Sequence, residues 1–429
     1  MLDLLIFLAA IGVLWLAVGL SYRRYKLKER GVILYPGAIM WRTTKGLGII
    51  DRVATKHSRF WNSYGNVAVA VGLFFMFFVF INIILNIIFL LMQPASAPPG
   101  ATFVLPGLIP GLGITAWLIS VGIVLIIHEF SHGLLLRSQG LKTRSTGAMI
   151  FLFIPGAFVE PDEKELKKAP IIKRMRMFAA GPVSNIIFAF IFLFILLAFL
   201  VPKPGVYVYG VADNYPLDNY IRDNMFGNIT GELGDNLAAN YISENLLGAR
   251  ILSLNSATIG TMTIDSIDNF DNFMLQTKPG DNVTMVINNG TDNKTFTLML
   301  AKDVDNENLG MIGIVTASAP PHSAFLNPLL VLASAFGVFL GAPFFSPLVY
   351  SAVVPWAVID ILKWLFVLNL GVGMFNLLPA KPLDGGYLFE GLLAKKISKE
   401  RARKVAKVCS FLVLILLLMN IIPSLLRRL

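Results

Sequence analysis

The chain has 429 residues, of which 55% are hydrophobic and only 14% charged, with a formal net charge of +10. Several separate apolar runs of about 18 residues or more exclude a soluble globular fold and describe a polytopic membrane protein. The positive residues concentrate in short segments between those runs, as loops beside anionic lipid do, so the charge is no sign of a nucleic-acid partner. Cys409, the sole cysteine, lies in an apolar stretch, which excludes an intrachain disulfide and fits a buried, inert thiol.

Residues 2–20 form a first apolar span that Arg23, Arg24, Lys26, Lys28 and Arg30 follow rather than precede. That order predicts an uncleaved anchor with its N-terminus outside. Residues 21–65 carry ten Lys and Arg against Glu29 and Asp51 and read as a basic inside loop. A second span at 66–93 leads out, and the uncharged Pro/Gly-rich stretch 94–113 returns the chain to a third span containing LISVGIVLIIHEFSHGLLLR, residues 118–137. Nine Lys and Arg between 137 and 177 put the end of that span inside, and residues 178–201 form a fourth.

Residues 202–323 break the pattern. They are rich in Asn, Asp and Gly, contain strand-like alternation, and hold fourteen Asp and Glu against six Lys and Arg, which predicts a folded extramembrane domain. Sequons at Asn228, Asn282, Asn289 and Asn293 fit an external location. Pro328, Pro343 and Pro347 interrupt the apolar stretch 324–359. A single crossing there would leave the seven basic residues from Lys395 to Lys407 outside, so a re-entrant or hairpin element is expected. A span at 361–378, an amphipathic basic stretch 381–404 on the inner membrane surface and a last span to about 426 complete the chain, with Arg427 and Arg428 outside.

The expected fold is therefore a polytopic α-helical membrane protein with about six transmembrane helices, a re-entrant or hairpin element and a mainly-β extramembrane domain. Boundaries are expected at 1–113, 114–201, 202–323, 324–359 and 360–429.

His128, Glu129 and His132 form an HExxH motif in the third span. Residues four apart share a helical face, so both imidazoles reach one metal while Glu129 stands close enough to activate a water. An ionisable group at the centre of a transmembrane helix costs about 2.5 to 3.5 kcal/mol on insertion scales, so such a helix carries one only with a partner or a function. A catalytic zinc needs three protein ligands and an open position. Asp384 in NLLPAKPLDGG is the best candidate for the third: Pro379 and Pro382 unwind the chain after the span, and Gly385-Gly386 permits a tight turn. An Asp capping the next helix is the other reading of that residue. His57 and His322 sit in loops away from the motif and are not expected to be ligands.

Segment 147–161, GAMIFLFIPGAFVEP, is too short to span as a helix and reads as extended chain at the membrane. Its residues Gly156, Ala157, Phe158 and Val159 offer an edge to which an unwound substrate could pair, or else a re-entrant packing loop.

The HExxH motif, together with Asn376-x-x-Pro379-x-x-x-Leu383-Asp384-Gly385 and RMRMFAAGPVSN at 174–185, resembles the site-2 protease family of intramembrane metalloproteases. Those three blocks occur in the family's order, covering 114–201 and 357–386. The resemblance implies one zinc per chain held by His128, His132 and Asp384, with Glu129 as general base. It implies that Asn185 and Asn376 hold the substrate backbone or stabilise the oxyanion, although Asn185 also suits a helix-packing hydrogen bond. It favours the substrate-edge reading of 156–159. The external domain resembles a PDZ-like module, common in that family at this point, with a strand pair in ARILSLNSATI, a short helix in IDNFDNFMLQT and a hairpin turning at Asn289-Gly290.

The expected activity is hydrolysis of peptide bonds in or beside transmembrane segments of other membrane proteins, with the site toward the cytoplasm and the PDZ-like domain outside. Substrate helices and the lipid bilayer are the expected partners, and nucleic acid is not. Two alternatives stand: a prenyl-peptide-type membrane metalloprotease, which needs a downstream Glu ligand such as Glu390 or Glu400, and a non-enzymatic metal-binding transporter or receptor.

Overall fold

The structure is a computed structural model describing residues 2–92, 104–106, 109, 112–152, 154–226, 232–304, 306–319, 326, 327, 330, 331, 345 and 347–426. It divides into two units, Met1–Leu196 with Ala357–Leu429, and Leu197–Trp356.

The first unit begins with α1 (Leu2–Arg24). Within the segment expected only as a basic loop lies a hairpin, β1 (Val32–Tyr35) and β2 (Ala38–Thr43), turning through Pro36 and Gly37. Proline presets the first turn position, and glycine adopts the φ of 77° at the second without a Cβ penalty. α2 (Leu47–Lys56) buries Ile50 and Ala54 against Leu134 and Leu135 of α4 (Ile114–Ser138), and Arg137 pairs with Asp51 across the same contact. Between them runs α3 (Ser58–Met92), which starts earlier than the expected 66. Its 35 residues span about 52 Å, well beyond the roughly 30 Å apolar layer.

Segment 147–161 is the greater part of a second hairpin, β3 (Thr143–Phe151) and β4 (Ile154–Pro161). It joins the first hairpin as a four-stranded antiparallel sheet in the order β1-β2-β3-β4, which satisfies backbone groups that an isolated extended chain would leave bare. β4 is one of the two edge strands. The short α5 (Glu163–Lys168) is capped by Asp162, whose carboxylate accepts from the Lys164 and Glu165 amides. α6 (Ile171–Phe199) runs on through Pro182, which has no N–H to donate to the Phe178 carbonyl.

The second unit carries a six-stranded sheet: β6 (Val206–Val211), β7 (Arg250–Ser256), β8 (Gly260–Thr263), β9 (Asn282–Asn288), β10 (Asn293–Met299) and β13 (Ile314–Ala317). The order is β10-β9-β7-β6-β13, with β8 on β7. Two small pairs accompany it, β5 (Leu200–Pro202) with β14 (Tyr350–Ala352), and β11 (Ala301–Lys302) with β12 (Gly310–Met311). Helices α7 (Pro216–Met225), α8 (Glu232–Asn245) and α9 (Ile267–Met274) contribute to a core around Val208, Ile221, Ala238, Phe273, Ile287 and Phe296. The turn 289–292 between β9 and β10 is closed by Asn289, whose Oδ1 accepts from the Thr291 and Asp292 amides.

α10 (Trp356–Asn376), α11 (Asp384–Leu393) and α12 (Lys399–Leu426) return to the first unit. Among the described residues five helices, α3, α4, α6, α10 and α12, are long and apolar enough to cross a membrane. The protein is an integral, multi-pass membrane protein with a separate β-rich region. Half of 324–359, the stretch 94–103, His322, Asn228, Arg427 and Arg428 lie outside the described residues.

Candidate metal centre

α4, α6 and the start of α11 supply the site. His128 and His132, one turn apart on α4, present their Nε2 atoms 3.1 Å from each other. Asp384, the first residue of α11, places Oδ2 at 3.1 Å from His128 Nε2 and 3.2 Å from His132 Nε2. The loop from Leu377 folds back so tightly that a Cβ at Gly385 would fall 2.1 Å from the Leu377 carbonyl oxygen, so only glycine permits the turn that delivers the carboxylate. Among the described residues this is the group of His, Cys, Asp and Glu whose ligand atoms could hold a metal ion.

The geometry fits zinc. Donors at 2.0–2.1 Å around a tetrahedral ion lie about 3.3 Å apart, close to the observed separations, and two imidazoles with one carboxylate are a recurrent catalytic donor set. Space for an ion is built into α6. A Cβ at Gly181 would lie 2.4 Å from His132 Nε2 and 2.9 Å from His128 Nε2, so any larger residue fills the cradle.

Both rings are oriented from behind. His132 Nδ1 lies 2.7 Å from the Met177 carbonyl, so Nδ1 carries the proton and Nε2 keeps its lone pair. Asn185, fully buried, has its amide nitrogen 3.2 Å from His128 Nδ1 while its Oδ1 has no partner. Turning that amide brings its oxygen to the Nδ1–H, which again frees Nε2.

Glu129 points from α4 to β4, where its Oε2 accepts from the Val159 amide at 2.9 Å. That amide leaves the sheet on the side away from β3. Because main-chain groups alternate along a strand, Ala157 N–H and C=O leave by the same edge. Pro155 and Pro161 share that parity and have no N–H to expose, as suits an edge strand. Gly156 packs on Met149, and the Phe158 ring crosses the bare face of Gly147.

The Asn376 side-chain amide donates to the Val372 carbonyl of its own helix at 3.1 Å. Glu390 and Glu400 are paired with Lys381 and Lys404. Sequence reasoning missed the roles open to Gly181 and Met177. Gly181 was visible as part of the RMRMFAAGPVSN block but without its place beside the histidines, and a backbone carbonyl leaves no mark in sequence.

The sequence profile of peptidase family M50 matches residues 116–420. The chain belongs to peptidase family M50. That match includes every residue of the cluster. An uncharacterized protein of Methanocaldococcus jannaschii is 25% identical over 372 residues, 86% of this chain and 80% of the relative. A membrane-bound transcription factor site-2 protease homolog of Arabidopsis thaliana is 31% identical over 90 residues, 21% of this chain and 17% of the plant protein. M50 membership makes the chain a membrane-embedded peptidase.

Proposed function

We propose that this M50 protein is a zinc-dependent intramembrane endopeptidase that hydrolyses peptide bonds in or near transmembrane segments of other membrane proteins. One observation carries the reading: His128, His132 and Asp384 converge on one point that Gly181 leaves open, with Glu129 on the same helix. One zinc per chain, held by those three side chains, would polarise a carbonyl and lower the pKa of the attacking water. Glu129 takes the proton from that water and returns it to the leaving amine. Met177 and Asn185 hold the imidazoles, and Asn376 is assigned to the substrate carbonyl or the oxyanion.

A helical peptide bond is closed to attack, so the substrate must unwind before cleavage. The free edge of β4, residues Gly156 to Val159, would receive it by strand pairing through Ala157. Six spans, with α1 as the first, put the site toward the cytoplasm and the PDZ-like second unit outside, where it excludes substrates with untrimmed ectodomains. The prenyl-peptide reading is disfavoured because Glu390 and Glu400 are committed to lysines.

The test is to purify wild type and Glu129→Gln, measure zinc in each, and incubate both with a single-pass helix containing a helix-breaking pair. Equal zinc with cleavage by wild type alone supports the reading. Equal zinc with equal cleavage removes Glu129 as the base. Equal zinc without cleavage, repeated on soluble and prenylated peptides, would favour a binding or transport role.

A further inference from the structure

Lys381 stands three residues before Asp384, in the loop joining α10 to α11, beside an apolar cluster of Val79, Leu378, Ala380 and Val413. Its side chain is 27% exposed and that of its partner Glu390 15% exposed. A charge pair held that far from water persists only where its geometry is fixed, and losing one member strands the other. Lys381 Nζ donates to Glu390 Oε2 and lies 4.7 Å from the centre of the Tyr387 ring. Its backbone N–H donates to Ser410 Oγ on α12 at 2.9 Å. Glu390 and Tyr387 both belong to α11, the helix that begins at Asp384. Tyr387 in turn stacks on Phe178, with centroids 4.6 Å apart and planes at 10°, next to the Met177 carbonyl that orients His132. One lysine thus touches the Asp384 loop, α11 and α12, and through Tyr387 reaches the support of the opposite ligand.

From this convergence we propose that Lys381 is a positioning residue for the metal centre. Its ion pair with Glu390 fixes loop 377–383 to α11 and so sets where the Asp384 carboxylate stands against the two imidazoles. The proposal rests on the zinc reading given above. Outer contacts of this kind tune affinity because a ligand displaced by a fraction of an ångström no longer completes the coordination polyhedron.

The experiment uses full-length protein in detergent: wild type, Lys381→Met, Lys381→Arg, Glu390→Gln, the double variant Lys381→Met/Glu390→Gln, and His128→Ala. Zinc affinity is read by competition with a chromophoric chelator, ligand geometry by the visible spectrum of the cobalt(II)-substituted protein, and kcat and KM on a single-pass substrate. Lys381→Met is expected to bind zinc about 10- to 100-fold more weakly, with an altered cobalt spectrum, lower kcat and unchanged KM. Lys381→Arg keeps the charge and is expected to stay within about threefold of wild type, with Glu390→Gln between the two. The double variant should be no weaker than Lys381→Met, because the pair acts as one unit.

Wild-type affinity and spectrum in a folded Lys381→Met would overturn the positioning role while leaving the zinc reading intact. If Lys381→Met does not fold, wild-type affinity in Glu390→Gln overturns it equally. Wild type that binds zinc no better than His128→Ala overturns the metal reading, and this role with it.

Discussion

The Glu129 carboxylate accepts a hydrogen bond from Val159 N–H at 2.9 Å, joining the HExxH helix to the β4 edge of the sheet. Val159 N–H makes no bond to β3, so Val159→Pro removes this contact without breaking the ladder. We expect zinc content to be unchanged and kcat to fall about 3- to 30-fold, as for a general base that loses its alignment. Unchanged kcat in a folded variant would show that the contact does not orient Glu129 during turnover.

Gly181→Ala places a methyl group 2.4 Å from His132 Nε2. Alanine is the better helix former, so the helix itself should not suffer. The expected result is a folded protein that has lost zinc affinity by at least about 100-fold, with cleavage lost in parallel. Full zinc loading would mean that the cradle is not where the ion sits.

Asn185→Leu removes the amide that faces His128 Nδ1. Loss of that support is expected to weaken zinc binding about 10- to 100-fold. Asn185→Asp, which offers only oxygens to the Nδ1–H, should retain most of the affinity. An Asn185→Leu protein with wild-type zinc affinity but a raised KM would instead assign this residue to the substrate.

Glu129→Gln keeps an oxygen to accept from Val159 and removes the base. Activity should drop by about 10²- to 10⁴-fold while zinc stays bound. Chelation of wild type should abolish cleavage, with recovery on adding one equivalent of zinc; recovery in the chelated Glu129→Gln protein would contradict the assignment of the base.

Much of the helical scaffold was legible because crossing a membrane demands long apolar runs, and those are visible without any tertiary information. The HExxH spacing was legible for a similar reason: residues four apart share a helical face wherever the helix packs. Pro36-Gly37 between VILY and AIMW signals a turn between the two strands of Val32–Thr43, but the surrounding segment 21–65 carries ten basic residues, a pattern that fits a loop equally well. Its pairing with β3, more than 100 residues away, was beyond any local pattern.

Periodicity, hydropathy and turn chemistry are local properties, and they suffice for a multi-pass membrane chain, a histidine pair with an adjacent glutamate, and an aspartate in a proline-broken, glycine-rich turn. That Asp384 meets the histidines, 256 positions away from His128, and that Gly181 leaves room between them follows from packing alone. The same holds for the Met177 carbonyl behind His132 and for Lys381 between α11 and α12. These depend on how four helices and a loop pack. Distances between residues far apart in sequence are set by the packed whole, and no single segment encodes them.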